Sequence, residues 1–249
     1  MSARVLVTAG ASGVGRAIAE GFAATGARVW VADVDTAALA RCPTDWECSP
    51  VDVSDEAAVE GMFAGIRARW GGLDVLCANA GIAGPTAPVE DVALEAWHAC
   101  LAVNLDGAFL CAKYAAPLMK AQQSGAMILT SSTAGQYGYP NRAPYAAAKW
   151  AVIGLMKTLA MELGGHGVRA NAICPGAVEG PRMEREARAK GMSRDAVYDG
   201  YATGTAMGRF IEARDVAEMA VFLGSGAARL ISGQVIAVDG FTVNPDPRP

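Results

Sequence analysis

Short, continuously apolar segments alternate with segments of helical periodicity along nearly the whole chain. A strand that is apolar at every position must be covered on both faces, which is typical of a parallel sheet with helices on either side. The pattern therefore predicts a single-domain, doubly wound α/β fold with seven strands over residues 1–249. The predicted strands lie at 4–8, 27–32, 46–51, 73–78, 126–130, 168–174 and 234–238, and the predicted helices at 13–25, 35–41, 54–70, 94–122, 144–163 and 213–223.

The composition of the chain narrows the classes of function. Apolar residues make up 52% and charged residues 18%, which suits a large buried core. With 21 basic against 25 acidic residues the net charge is −4, so binding to a nucleic-acid backbone is not expected. The six cysteines include no CxxC and the two histidines have no metal-ligand spacing, so neither a disulfide framework nor a metal site is expected.

The start of the chain and its apolar runs bear on its location. Residues 1–10 lack the apolar core of a signal peptide, and no uninterrupted apolar run approaches the roughly 20 residues of a membrane helix. We therefore expect a cytoplasmic protein with reduced thiols and no membrane partner. Two segments stand apart from the alternation: a charge-rich stretch at 179–201, predicted to cover a substrate pocket, and a Pro-rich tail at 244–249.

A glycine-rich turn, residues 8–15, lies between the first predicted strand and the first predicted helix. Glycines in such a turn let the backbone approach a pyrophosphate, and the helix start offers free N–H groups at the positive end of the helix dipole. A tight turn without a ligand is the alternative interpretation. A P-loop is not expected, because no Gly-Lys-Ser/Thr sequence follows.

Asp33 ends the second predicted strand, twenty residues after Gly13. At this spacing a carboxylate reaches the hydroxyl groups of an adenosine ribose and repels a 2′-phosphate. The alternative is a solvated loop acid. Together with the glycine turn, Asp33 predicts a dinucleotide site that takes NAD in preference to NADP.

Tyr145 and Lys149 are four residues apart on the predicted helix 144–163, so they share one face. An ammonium beside a phenol stabilises the phenolate and lowers the pKa of the tyrosine, which suits proton exchange with an alcohol or a ketone. A chance pairing is the alternative. However, this helix begins at the carboxyl end of the fifth strand, where the ligands of a doubly wound sheet gather, and Ser132 lies at the same end.

Over essentially its whole length the chain resembles the short-chain dehydrogenase/reductase family, whose members have a Rossmann fold. Ser132 stands thirteen residues before Tyr145, as the catalytic serine of that family does. The resemblance rests on an ordered set of motifs: the glycine turn, Asn79-Ala80-Gly81, Asn104, Ser131-Ser132, Tyr145 with Lys149, Pro175-Gly176 and the closing GQVIAVDGF.

The resemblance implies a role for each matching residue. Tyr145 is the general acid and base, Lys149 holds the nicotinamide ribose and lowers the pKa of the tyrosine, and Ser132 hydrogen-bonds the substrate oxygen. Asn104 orients a helix break and a water that relays protons. Hydride passes directly between the nicotinamide and the substrate carbon, without a metal. The implied cofactor contacts are Gly10, Ser12, Gly13, Val14, Gly15, Asp33, Asp52, Val53, Asn79, Ala80, Gly81, Tyr145, Lys149, Pro175, Gly176 and Val178.

Three positions depart from the pattern of the family. Ala9 replaces the first glycine of the turn, so its methyl group narrows the approach to the cofactor. Ala78 replaces the first residue of an Asn-Asn-Ala-Gly motif, and Gly180 stands where a threonine that bonds the cofactor is often found. No basic residue occupies position 12 or follows Asp33, which favours NAD over NADP.

Two arginines lie where the family binds its substrates. Arg142 precedes Tyr145 by three residues, and Arg182 opens the variable part of the 179–201 stretch. The hypothesis is that one or both bind a carboxylate or sulfonate of the substrate through paired N–H donors. The alternative is that Arg142 faces solvent or a neighbouring subunit, and that Arg182 pairs with Glu184 or Glu186.

Three functions compete at this point. The favoured function is an NAD-dependent dehydrogenase that acts on a secondary alcohol, a polyol, a hydroxy acid or a hydroxysulfonate. A 3-oxoacyl thioester reductase is the second, but such enzymes usually take NADP, and Asp33 counts against that. A non-catalytic dinucleotide sensor is the third, although such proteins typically lose the tyrosine or the lysine. Members of the family commonly pair their long helices across a dimer, so a homo-oligomer, often a homotetramer, is expected.

Overall fold

The computed structural model describes residues 2–180 and 193–244. Seven parallel strands form one sheet in the order β3-β2-β1-β4-β5-β6-β7. The strands are β1 Arg4–Thr8, β2 Arg28–Asp33, β3 Glu47–Pro50, β4 Val75–Ala78, β5 Gly125–Thr130, β6 Val168–Pro175 and β7 Val235–Val238. The order reverses between β1 and β4, so a crevice opens at the carboxyl ends of these two strands. The predicted doubly wound α/β fold is confirmed.

Helices cover both faces of this sheet. In the described residues they are α1 Gly13–Ala24, α2 Thr36–Leu39, α3 Glu56–Trp70, α4 Leu94–Leu101, α5 Gly107–Gln122, α6 Ala143–Gly164, α7 Arg194–Thr203 and α8 Ala213–Gly224. Helices α3, α5 and α6 bury one apolar core against the sheet, and α1, α2 and α8 bury a second core on the other face. Within β1, Leu6 belongs to the first core, whereas Val5 and Val7 belong to the second. The central strands β1, β2, β4 and β5 are apolar at successive positions because both of their faces are buried, whereas the edge strand β3 is polar and half exposed.

The helices differ from the prediction by more than one residue at four places, one of which is the end of α2 at Leu39 rather than at Arg41. The helix predicted over 94–122 is divided into α4 and α5 by a π-helical turn, Ala102–Asp106. Helix α3 begins at Glu56 rather than at Ser54, because the Asp55 carboxylate caps it by accepting from the N–H groups of the next turn. Helix α7 begins in the 179–201 stretch and runs to Thr203, at residues for which the sequence pattern predicts no helix, and the Ser193 hydroxyl caps it.

The helical region Leu94–Gln122 also bears on the prediction about membrane helices. Its 29 residues are long and apolar enough, by length and composition, to cross a membrane. The region contains no long uninterrupted apolar run, because charged or polar residues interrupt it at Glu95, His98, Asp106 and Lys113. Its buried side chains pack in the first core against the sheet, and core helices of water-soluble proteins share these properties.

Ala9 adopts the left-handed backbone conformation within the glycine turn, with φ at 49°. A side chain in this conformation costs roughly 1–2 kcal/mol, because its Cβ crowds the following carbonyl oxygen. We therefore expect Ala9→Gly to raise the free energy of unfolding by about 0.5–1 kcal/mol, after allowance for the extra freedom that glycine gives the unfolded chain. Urea unfolding followed by circular dichroism measures this change.

Ala11→Gly is the matched control for this substitution. Ala11 lies in the same turn and is buried, but it is not among the residues with positive φ. Glycine at position 11 relieves no strain, so we expect this control to lower the free energy of unfolding. Destabilisation by both substitutions would contradict the strain argument.

Candidate active site

The start of α1 forms a cradle for an anionic group at the crevice. Ser12 occupies the N-cap position of α1 but makes no side-chain cap, and the first turn contains no acidic residue. The N–H groups at Gly13, Val14 and Gly15 therefore add to the positive end of the helix dipole, as in sites that bind phosphate. In contrast, aspartate side chains cap α2 and α3.

The glycines of the turn are required by its shape. A Cβ on Gly15 would lie 2.0 Å from the carbonyl oxygen of Ala9, and a Cβ on Gly10 would lie 2.9 Å from that of Val7. Gly13 has φ at 54°, and among the described residues a Cβ there would meet no atom within 4 Å, so this part of the structure leaves the turn open on that side. At these three glycines the turn thus offers backbone atoms, rather than side chains, to the predicted cofactor.

Asp33 is buried at the carboxyl end of β2, with 9% of its surface exposed. One carboxylate oxygen accepts the N–H of Ala11 at 3.1 Å, and the other accepts the N–H of Asp35 at 3.1 Å. The alternative of a solvated loop acid is therefore wrong. Because each oxygen has a further lone pair, the carboxylate that ties the glycine turn to β2 can also accept from two ribose hydroxyls.

The ends of β3 and β6 bring further predicted cofactor residues to the crevice. Asp52 is exposed and accepts from the N–H and the hydroxyl of Ser54 at 2.9 and 2.7 Å. The side chain of Val53 is buried in the first core, so only its backbone is offered to an adenine. Gly176 donates its N–H to Val238, and Val178 forms a short parallel bridge with Ile211. Pro175 ends β6.

The residues after β4 are joined to the end of β1. The Thr8 hydroxyl accepts the N–H groups of Asn79 and Ala80, each at 3.0 Å, and the Asn79 amide donates to the Thr8 carbonyl at 3.2 Å. Sequence reasoning missed Thr8. A polar residue at the last position of a fully buried strand, where Thr8 stands, is the signal that could have found it.

Tyr145 and Lys149 lie at the start of α6, beside the carboxyl end of β5. Pro144 suits the first turn of this helix because proline needs no N–H partner there. The Lys149 ammonium is 5.6 Å from the centre of the Tyr145 ring. Lys149 is only 3% exposed, and its Nζ donates to the carbonyl oxygen of Thr130 at 2.9 Å. Tyr145 and Lys149, paired in the prediction by their spacing, are thus adjacent in space. The carbonyl of Thr130 at the end of β5 fixes the position of the Lys149 ammonium.

Ser132 follows β5 and begins a 3₁₀ turn, Thr133–Gly135. Its Oγ accepts the N–H of Ala134 at 3.2 Å. Because Oγ of Ser132 is the acceptor in this bond, its hydroxyl group can still donate a hydrogen bond to the oxygen of a substrate. The thiol of Cys174, on β6, lies behind this residue. Burial raises the pKa of that thiol, against the opposing effects of the Ser131 hydroxyl, the Ser132 N–H and the Lys149 ammonium.

Asn104 lies in the π-helical turn and is 1% exposed. Its Nδ2 donates to the carbonyl oxygens of Ile82 and Cys100, each at 2.9 Å. Its Oδ1 is buried and accepts no hydrogen bond from the residues described. A Cβ on Gly81 would lie 2.6 Å from this oxygen and 3.2 Å from Nζ of Lys149, so the two groups border one small space. A buried acceptor of this kind suits the bridging water that the family resemblance implies.

Arg142 lies at the mouth of the same site. Its guanidinium carbon is 5.8 Å from the centre of the Tyr145 ring, and its Nη1 donates to the Thr86 hydroxyl at 3.0 Å. Arg142 is half-buried beside the reacting side chain rather than directed wholly to solvent. Arg182 lies outside the described residues.

The fold and this constellation define a class of protein: a dinucleotide-binding oxidoreductase that interconverts alcohols and carbonyls. A family model described as "Enoyl-(Acyl carrier protein) reductase" matches residues 8–241. The chain belongs to the short-chain dehydrogenase/reductase family.

Three relatives illustrate the similarity. The chain is 36% identical, over 95% of each chain, to 2,5-dichloro-2,5-cyclohexadiene-1,4-diol dehydrogenase of Sphingobium indicum. It is 37% identical, over 94% of each chain, to cis-4-hydroxycyclohexanecarboxylate dehydrogenase of Sinomonas cyclohexanicum. The solved structure of an NAD⁺-bound xylitol dehydrogenase matches with a TM-score of 0.90 at 29% identity, covering 96% of this chain and 98% of that one. These relatives act on alcohols, as does this protein.

Proposed function

We propose that the protein is an NAD-dependent dehydrogenase that oxidises a secondary alcohol carrying a carboxylate or sulfonate to the corresponding ketone. The observation that carries this proposal is the position of the Arg142 guanidinium, 5.8 Å from the centre of the Tyr145 ring. A permanent cation beside the general base is suited to bind an anionic group of the molecule that reacts there. The relative that acts on a hydroxycyclohexanecarboxylate supports a substrate of this kind.

The choice of NAD rests on Asp33. Its carboxylate is buried at the end of β2, where it accepts from the backbone of the glycine turn. A 2′-phosphate placed against it would bring two anions together without a basic residue at position 12 or 34 to offset the repulsion. The similarity to an NAD⁺-bound enzyme supports the same choice.

The residues present fit such a cofactor, since the bare N–H groups of α1 suit a pyrophosphate and Asp33 suits a ribose. When bound, the nicotinamide ring of the cofactor would supply the carbon that accepts the hydride. Lys149 stabilises the phenolate of Tyr145, which takes the hydroxyl proton of the alcohol. Ser132 donates a hydrogen bond to the substrate oxygen and holds that oxygen in reach of the phenolate. Asn104 offers its unpaired Oδ1 to a water that carries the proton away past Lys149.

Replacement of Arg142 tests the anion site. Arg142→Met keeps an unbranched apolar stem but removes the charge and the N–H donors of the guanidinium, so we expect KM for an anionic alcohol to rise roughly 10- to 100-fold. KM for a neutral alcohol should change little. Initial rates measured as absorbance of NADH at 340 nm give both constants.

Arg214→Met is the matched control, since Arg214 is exposed on α8 and pairs with Glu212 and Glu218 at the surface. It should leave both constants as they are in the wild type. If KM for every accepted substrate is unchanged in Arg142→Met, Arg142 does not bind an anionic group of the substrate.

The whole proposal is tested by incubating the purified protein with NAD and with NADP against secondary alcohols, polyols, hydroxy acids and hydroxysulfonates. We expect NADH to form with the anionic alcohols. Turnover only with NADPH and 3-oxoacyl thioesters would overturn the proposal in favour of a thioester reductase. Binding of NADH without turnover of any alcohol would favour a sensor.

We further propose a cytoplasmic homotetramer. Phe109 on α5 is 47% exposed and Trp150 on α6 is 52% exposed. Large apolar side chains at such exposure favour burial against another copy of the chain. Sedimentation velocity measures the size of the assembly.

A further inference from the structure

Two consecutive residues at the carboxyl end of β5, Thr130 and Ser131, are tied to α6 at a single lysine. Nζ of Lys149 donates to the carbonyl oxygen of Thr130 at 2.9 Å. The hydroxyl of Ser131 donates to the carbonyl oxygen of Lys149 at 2.8 Å. The next residue along the chain is Ser132. Lys149 is thus held through both its side chain and its backbone by the two residues that precede Ser132.

The contact from Ser131 is deeply buried. Ser131 is 2% exposed, and its own N–H donates to the carbonyl oxygen of Ile173 on β6 at 2.8 Å. The thiol of Cys174 also interacts with this hydroxyl. Because the backbone of Ser131 is fixed to β6, its hydroxyl can act as a rigid attachment point for α6 rather than as a solvated side chain.

The packing around this contact leaves no spare room. A Cβ on Gly135 would lie 2.4 Å from Oγ of Ser131 and 2.8 Å from the carbonyl oxygen of Lys149. The 3₁₀ turn after Ser132 is therefore pressed directly onto the hydrogen bond between Ser131 and Lys149. Only glycine at position 135 lets the turn and the helix approach so closely.

We propose that Ser131 is a positioning residue of the active site, whose hydroxyl fixes α6 against the end of β5 and so sets the distance from Ser132 to Tyr145 and Lys149. This inference rests on the roles proposed above for those three residues. Tyr145 lies one helical turn before Lys149, so a shift of the Lys149 backbone also moves the phenol. Small displacements of reacting groups are expensive, and about 1 Å can cost on the order of 10²-fold in rate.

Two substitutions break the contact in different ways. Ser131→Ala removes the donor, and Gly135→Ala keeps the donor but places a methyl group between the hydroxyl and the carbonyl. We expect each to lower kcat for alcohol oxidation about 10- to 100-fold, with KM within about threefold of the wild type, because the reacting groups are misplaced rather than removed.

Thr133→Ala is the matched control. Thr133 is 6% exposed in the same 3₁₀ turn, and within the described residues its hydroxyl makes no bond to Lys149. It should lower stability about as much as Ser131→Ala while kcat stays within about threefold of the wild type.

A second readout needs neither cofactor nor substrate. Hydrogen exchange followed by mass spectrometry should show faster exchange over residues 143–155 in Ser131→Ala than in the wild type or in Thr133→Ala, because the start of α6 has lost its attachment. Equal exchange in all three proteins would overturn the inference, whether or not the alcohol is known.

The kinetic comparison gives a second way to overturn the inference. A kcat in Ser131→Ala within threefold of the wild type, or an equal loss in Thr133→Ala, would show that the contact is only structural. Failure of the wild-type protein to oxidise any alcohol would overturn the proposed function instead, and the exchange result would still decide whether Ser131 holds α6.

Discussion

Replacement of Tyr145 by phenylalanine is expected to lower kcat for alcohol oxidation by roughly 10²–10⁴-fold, which is the usual contribution of a general base. The substitution removes the phenolic oxygen but keeps the ring that lies 5.6 Å from the Lys149 ammonium. Binding should therefore survive while the proton acceptor is lost. Single-turnover kinetics with NAD measure the chemical step, and quenching of tryptophan fluorescence by NADH measures binding.

Tyr137→Phe is the matched control for this substitution. Tyr137 is 37% exposed and lies just after the 3₁₀ turn that follows Ser132, whereas the ring that contacts Lys149 is that of Tyr145. Its kcat should equal that of the wild type. A Tyr145→Phe variant with more than about a tenth of the wild-type kcat would show that another group takes the proton.

The second large effect concerns the selection of the cofactor. Asp33→Asn is expected to lower kcat/KM for NAD by roughly 10- to 100-fold and to narrow the preference for NAD over NADP, since the repelling charge is lost. One oxygen of the carboxylate also becomes an NH₂ group that faces a backbone N–H, either of Ala11 or of Asp35. The free energy of unfolding should therefore fall by about 1–3 kcal/mol.

Asp35→Asn provides the comparison two residues away. Asp35 caps α2 by accepting the N–H of Ala38, and asparagine caps helices about as well as aspartate. Neither stability nor the choice of cofactor should change much. An equal loss of NAD preference in both variants would mean that the local net charge, rather than the carboxylate of Asp33, selects the cofactor.

The strands and the glycine turn could be predicted because their signals are local. A strand buried on both faces must be apolar at each position, and β1 and β2 show this within a few residues. Tyr145 and Lys149 are likewise linked by the period of one helix. The resemblance to a family then assigned roles to residues such as Asn104, whose unpaired oxygen no local pattern could reveal.

The features that sequence reasoning missed depend on contacts between distant parts of the chain. The bond from Ser131 to Lys149 spans 18 residues, and the bonds from Asn79 to Thr8 span 71. The local pattern does not mark the π-helical turn, because no glycine or proline interrupts the helix before Gly107, and only the family resemblance implied a helix break at Asn104. The position of Arg142 beside Tyr145 fits either binding to substrate or packing, and only the three-dimensional structure brings the two together.

The π-helical turn has a consequence for the geometry of the helices on either side. A π turn holds one more residue than an α turn, so α5 is rotated out of phase with α4 by one residue. Helix α4 can then direct its contacts to α6, while α5 directs its apolar face to α3 and the sheet. A single uninterrupted α-helix would have one apolar face, which would have to serve both α6 and the core formed by α3 and the sheet. Deletion of one residue from the turn would restore the α-helical phase. Either the packing of α4 against α6, which carries Tyr145 and Lys149, or the packing of α5 against α3 and the sheet would then be lost.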